Sequence, residues 1–160
     1  MKKQNFLMRL FHQFLAWQPI SWLMARILHH ADTLVLRLSS GKLTIAQISG
    51  LPIIELTTTG AKTGRKRTLP LTGLPDGDKY ALIASNFGQD HHPGWYYNLK
   101  AQPQVEVERQ SQNLLYHAHE LSDEDWNQAW RRAVNHFPGY AAYRARTKSR
   151  AIPIFQLLPR

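Results

Sequence analysis

The stretch "IIELTTTGAKTGRKRTLPLTGL", residues 53–74, decides how the chain is built. "IIELTTT" is rich in β-branched residues and "RTLPLTGL" alternates, so each predicts a strand, and the glycine-punctuated basic segment between them predicts a hairpin tip. Gly60 and Gly64 bracket the turn, and Lys62, Arg65, Lys66 and Arg67 crowd it. A charged hairpin tip commonly does no more than keep a chain soluble. Here two glycines let backbone N–H groups face outward and threonines stand on both sides, a combination that also suits an anion.

The alternating pattern continues past this hairpin. "PDGD" at 75–78 has Pro, Asp and Gly where a turn uses them, and "KYALIAS" follows as a strand. "QVEVERQ", "NLLYHAHEL" and "IPIFQLL" complete a set of six strands. Helices fall between them: "WYYNLKAQ" after Pro93, a segment from the N-cap candidate Ser122 through Trp126, Ala129, Trp130 and Ala133, and a short piece holding Tyr140 and Tyr143. Asp123, Glu124 and Asp125 stand in the first turn of the second helix, where the dipole favours negative charge. The fold class is mainly β (α+β), an antiparallel sheet curled into a small barrel with helices at its rim.

Residues 1–40 read as a separate helical segment and 41–160 as the barrel domain. Phe6, Leu7, Leu10, Phe11 and Phe14 recur at helical spacing among basic and polar residues, Pro19 ends that helix, and a second begins near Ser21. The basic start resembles a signal peptide, but Arg9, His12 and Gln13 break the apolar run and no small-residue cleavage site follows. Nor does it supply the roughly 20 apolar residues of a membrane span.

At 160 residues the chain is one domain long and buries roughly two thirds of its unfolded surface. It has no cysteine, which excludes disulfides, thiolate metal sites and cysteine nucleophiles and suits a reducing cytoplasm. Twenty Lys and Arg against 11 Asp and Glu give a formal charge of +9, which attracts phosphates, polycarboxylates or an anionic membrane face.

A second candidate site lies in "ASNFGQDHHPGWYYNLKAQPQVEVE", residues 84–108. A strand ends at Ser85, an irregular stretch with Gly88 and Gly94 follows, and a helix begins at about Trp95, so free N–H groups and an indole meet at one sheet edge. Alternatively, Trp95, Tyr96 and Leu99 form the inward stripe of a helix capping the barrel. His91 and His92 are adjacent and lack a third ligand at metal-binding spacing. Phe137, Tyr140 and Tyr143, spaced at three around the helix-stopping Pro138 and Gly139, are expected on one face of a helix, a stripe for which core packing is the default and an aromatic lid over a pocket the alternative.

Taken in order, "TTTGAKTGRKRTLPL", "PDGD", "ALIASNFGQDHHPGWYYNLKAQPQVEVE", "HFPGYAAYRART" and "RAIPIFQL" resemble the deazaflavin-dependent nitroreductase family of split β-barrel oxidoreductases. The resemblance covers roughly residues 52–158. It implies a split barrel that binds the reduced deazaflavin coenzyme F-420 and passes its hydride to a quinone, an activated alkene or a nitro compound. It places Lys62, Thr63, Arg67 and Pro70, helped by Arg65 and Lys66, at the coenzyme's phosphate and oligoglutamate tail. Ser85, Asn86, Phe87, Gly88 and Trp95 fall at the deazaflavin ring, and Tyr140 and Tyr143 over the acceptor. Tyr140, Ser85 and Tyr143 are the hydroxyls expected to hydrogen-bond the acceptor or donate its proton. The chain departs from the family pattern at Ala61, where Arg is usual, and at Phe137, where Tyr is common.

The nearest rival is a barrel of the same shape that binds flavin mononucleotide (FMN). Nucleic acid is a weaker alternative, because the cations cluster instead of forming a stripe and no recognised nucleic-acid motif is present. A cytoplasmic protein is expected, with residues 1–18 either packed on the barrel or laid on the cytoplasmic membrane face near a lipid-soluble acceptor. The reading leaves room for a homodimer.

Overall fold

In the computed structural model, the described residues are 51–109, 112–147 and 149–160. The two helices expected before residue 40, and the boundary drawn at 40, lie outside them. The elements run β1 (Ile53–Thr59), β2 (Lys66–Asp76), β3 (Lys79–Ile83), α1 (Gly94–Ala101), β4 (Gln104–Arg109), β5 (Gln112–Glu120), α2 (Asp123–His136), α3 (Gly139–Arg146) and β6 (Ile154–Pro159). The six strands form a closed antiparallel barrel in the order β1-β2-β3-β6-β5-β4. The two sides of the first strand set the closure: Leu56 lies opposite Leu69 of β2 and opposite Val107 of β4.

The period-2 pattern separates two cores. Leu56, Leu82, Val107, Phe155 and Leu157 point into the barrel, where Trp95 and Leu99 of α1 join them from one end. Their neighbours in sequence, Ile83 and Ile154, face the other way with Leu74 and Ala81, beneath Ala129 and Ala133 of α2 and Phe137, Tyr140 and Tyr143. A residue's place in the alternation therefore assigns it to the barrel or to the helical layer.

Local chemistry accounts for most element ends. Gly77, at φ 67°, makes the β2–β3 turn. Ser122 occupies the N-cap position of α2 but makes no side-chain capping bond, and Asp123 sits at φ 50°. The three acidic residues of the first turn remain as favourable partners of the helix dipole. Phe137 is not on the helix with the tyrosines: it caps the C-terminus of α2, and Pro138 starts α3. The three rings still meet, with Phe137 and Tyr140 edge to face at 5.3 Å and Tyr140 and Tyr143 likewise at 6.2 Å.

Phe155 is almost completely buried and touches the rings of both Trp95 and Tyr96. Phe155→Ala is expected to lower stability by about 3–5 kcal/mol, measured by denaturant unfolding, because it removes the plug between the barrel interior and α1.

Candidate coenzyme site at one end of the barrel

The basic hairpin is tightly made. Gly60 N–H donates to the Arg65 carbonyl at 2.9 Å, and Gly64 N–H donates to the Gly60 carbonyl at 2.8 Å. A Cβ at residue 60 would come within 2.7 Å of Thr63 Oγ1, and Gly64 sits at φ 65°, so both positions favour glycine. Lys62, Thr63, Arg65, Lys66, Arg67 and Pro70 are all exposed. Lys66 forms an ion pair with Glu106 of β4. Among the described residues Lys62, Arg65 and Arg67 have no acidic partner, so three cations project from a short rigid tip. Pro70 lies farther along β2, opposite Glu55.

A residue that the sequence reading did not single out ties this tip to the second candidate segment. Asn98 of α1 accepts the Ala61 N–H through Oδ1 at 3.0 Å and donates through Nδ2 to the Thr58 hydroxyl at 3.0 Å. Thr58 is buried, so its hydroxyl needs this partner. The backbone at Ala61 is thereby clasped to α1. Asn98 carried a signal only in hindsight: it is the polar residue on the inward side of an otherwise apolar helix face.

The segment before α1 is strained. Asn86, Phe87 and Gly88 take φ of 47°, 56° and 78°, three left-handed residues in succession. A bulky residue such as Phe pays about 1–2 kcal/mol in that region, so the surrounding structure must hold it there. Gly88 cannot be replaced cheaply, because a Cβ would lie 3.2 Å from Cα and O of Tyr143. Phe87 meets the Tyr143 ring edge to face at 6.1 Å. Asn86 Nδ2 donates to the His91 carbonyl at 2.9 Å. Ser85 is buried at the start of this turn.

The structure thus brings Ser85, Asn86, Phe87, Gly88 and Tyr143 together. Tyr140 lies deeper, buried in the helical layer with Thr72 of β2 beside its hydroxyl. Burial pushes its phenol well above the ordinary tyrosine value, and burial likewise pushes Tyr143 up to about 12. Both remain O–H donors at any working pH. Trp95 is buried inside the barrel against Phe155, 6.3 Å between ring centres, so its indole belongs to the barrel core. His92 stacks on Tyr96 at 4.2 Å and its Nδ1 accepts from the Arg150 guanidinium at 3.2 Å. A cationic neighbour makes that nitrogen a poor metal ligand.

A closed six-strand barrel with a basic hairpin, a strained turn and an aromatic helix gathered at one end defines a split-barrel coenzyme-binding oxidoreductase. Within that class the chain belongs to the F420H(2)-dependent quinone reductase family, which matches residues 30–159. It is 40% identical over 112 residues to the F420H(2)-dependent quinone reductase Rv1261c of Mycobacterium tuberculosis, covering 68% of this chain and 74% of that one. A solved structure of an F420-H2 dependent reductase, FDR-A, is similar with a TM-score of 0.60 and 42% identity over 66% of this chain and 93% of the other. A second solved chain, described as a domain-swapped dimer, has a TM-score of 0.61 and 37% identity, covering 88% of this chain and 99% of the other. The cofactor of this oxidoreductase is coenzyme F-420.

Burial first and the Arg150 guanidinium second hold the His92 imidazole below its ordinary value of 6.5. Its contribution to stability is therefore complete above 6.5 and is lost as pH falls toward the lower folded value. Thermal melts across this window should show wild type losing stability on acidification more steeply than His92→Asn; equal slopes would remove His92 from the effect.

Proposed function

We propose that this end of the barrel binds reduced coenzyme F-420, with its anionic tail on the hairpin tip and its ring against the Asn86–Gly88 turn, for reduction of a quinone. The observation that carries the reading is the Asn98 clasp, which joins a tip whose Lys62, Arg65 and Arg67 have no acidic partner among the described residues to the helix that follows the strained turn. The residues present fit the group: a polyanion requires an exposed cationic tip, and a flat ring requires a fixed turn beside an aromatic wall. When bound, the reduced deazaflavin supplies the hydride, so the protein's work is orientation, charge and exclusion of water.

Lys62, Arg65 and Arg67 attract and hold the tail, with Thr63 adding a hydroxyl. Lys66 contributes less because Glu106 already neutralises it. Ser85 offers a hydroxyl at the base of the turn, and Phe87 with Tyr143 forms the wall beside it. Tyr140 and Tyr143 are assigned to the acceptor, where a protonated phenol steadies the negative charge that develops on a quinone oxygen. The membrane placement of residues 1–18 stays a proposal that rests on their sequence alone; among the described residues no helix is long and apolar enough to cross a membrane. The domain-swapped relative supports a homodimer for this chain.

Titration of the protein with oxidised coenzyme F-420, followed by the coenzyme's fluorescence with FMN as competitor, tests the cofactor. Lys62→Ala should raise Kd several-fold and flatten its dependence on salt; an unchanged Kd and salt slope would remove the tip from the tail site. Tyr140→Phe is expected to reduce turnover of a quinone several-fold while coenzyme Kd moves by less than about twofold. Equal losses in both would exclude a role confined to the acceptor.

A further inference from the structure

The strained turn needs something to hold it, and the side chain that does so comes from the far end of the sequence. Arg150 lies just before β6, outside every segment assigned above to coenzyme or acceptor. Its guanidinium reaches both sides of the turn's neck. Nη2 donates to the Ser85 carbonyl at 2.8 Å and Nη1 to the Ala84 carbonyl at 3.2 Å, on the entering side. Nε donates to the Gln89 carbonyl at 2.9 Å, on the leaving side. Nη1 also meets His92 Nδ1 at 3.2 Å, and through it the first turn of α1 that His92 stacks upon.

We infer that Arg150 is the positioning residue of the coenzyme site: one planar guanidinium straps residues 84–85 to residue 89 and thereby keeps Asn86, Phe87 and Gly88 in the left-handed conformation. Three chemical facts point this way. Of the four carbonyls it binds, one is that of its neighbour Ala151 and the other three flank the three left-handed residues, so a conformational change inside the turn must move at least one acceptor. Arginine supplies five donors in a rigid fork, whereas lysine is a single point charge that cannot span both sides of the neck. The side chain's partners are carbonyls and an imidazole nitrogen, not a carboxylate, so its hydrogen-bonding capacity is spent on backbone shape. Coenzyme affinity is then set partly by a residue that makes no contact with the coenzyme, through preorganisation of the turn. This inference rests on the assignment of the turn as the ring site, but the turn's own conformation can be read without coenzyme.

The test uses the full-length protein and four variants: Arg150→Gln, Arg150→Lys, Phe87→Asn and the double variant Arg150→Gln with Phe87→Asn. In the apo protein, amide hydrogen exchange of residues 86–90 should quicken about tenfold or more in both Arg150 variants while the strand amides keep their protection. Coenzyme Kd should rise about tenfold in both. Asn adopts positive φ far more readily than Phe, so in the apo protein Phe87→Asn should restore part of the exchange protection of residues 86–90 lost in Arg150→Gln. Unchanged exchange at 86–90, a loss of protection spread evenly over the barrel, full rescue by lysine, or exchange at 86–90 that quickens further when Phe87→Asn is added to Arg150→Gln would each overturn the inference. If wild-type protein binds no coenzyme, the assignment of the site fails, and the exchange pattern still decides whether Arg150 holds the turn.

Discussion

Closure of the barrel through β1 is the constraint on which the rest depends. That strand pairs with β2 along its whole length and with β4 over Glu55–Thr57, so the sheet has no free edge there. Closure places the β1–β2 tip beside α1, which enters the barrel end with Trp95 and Leu99. Once α1 is seated, Asn98 meets Thr58 and Ala61, and the loop leading into α1 is confined between the barrel and α3. Closing the sheet thus brings together the elements of the proposed coenzyme site.

The site itself is a balance of strain against restraint. A left-handed Phe is unfavourable, and such a turn persists only where neighbouring groups over-determine it. Here Tyr143 closes over Gly88 from one side and Arg150 ties the neck from another. The cationic tip is different in kind: its charges stand in solvent on a rigid glycine turn, where they attract an anion at long range and lose strength with salt. In the proposed site, ring and tail are therefore recognised by different physics, shape for one and charge for the other.

Much of this was legible before the structure. Six strands, the hairpin with its glycines, the PDGD turn and the helix after Pro93 all follow from residue period and turn chemistry, and all are present. The family resemblance of the hairpin and of residues 84–108 located both ends of the candidate site. Less legible were the directions of side chains. Trp95 could have faced a ligand or the core, and only the position of Phe155 turns it inward. Tyr140 and Tyr143 look equivalent at a spacing of three, yet one is buried in the helical layer and the other covers Gly88. Phe137 read as part of the same helix because spacing does not reveal that Pro138 begins a new one.

The sequence by itself determined the strand and helix order, the alternating assignment of residues to two cores, the basic tip and the family. These depend on local conformational preference and on periodicity, which neighbours along the chain carry. The tertiary structure alone decided that Asn98 clasps the tip, that Asn86–Gly88 is left-handed, and that Arg150 reaches across more than sixty residues to Ala84 and Ser85. Such pairings have no period and no local signature, because what brings the partners together is the closure of the barrel between them.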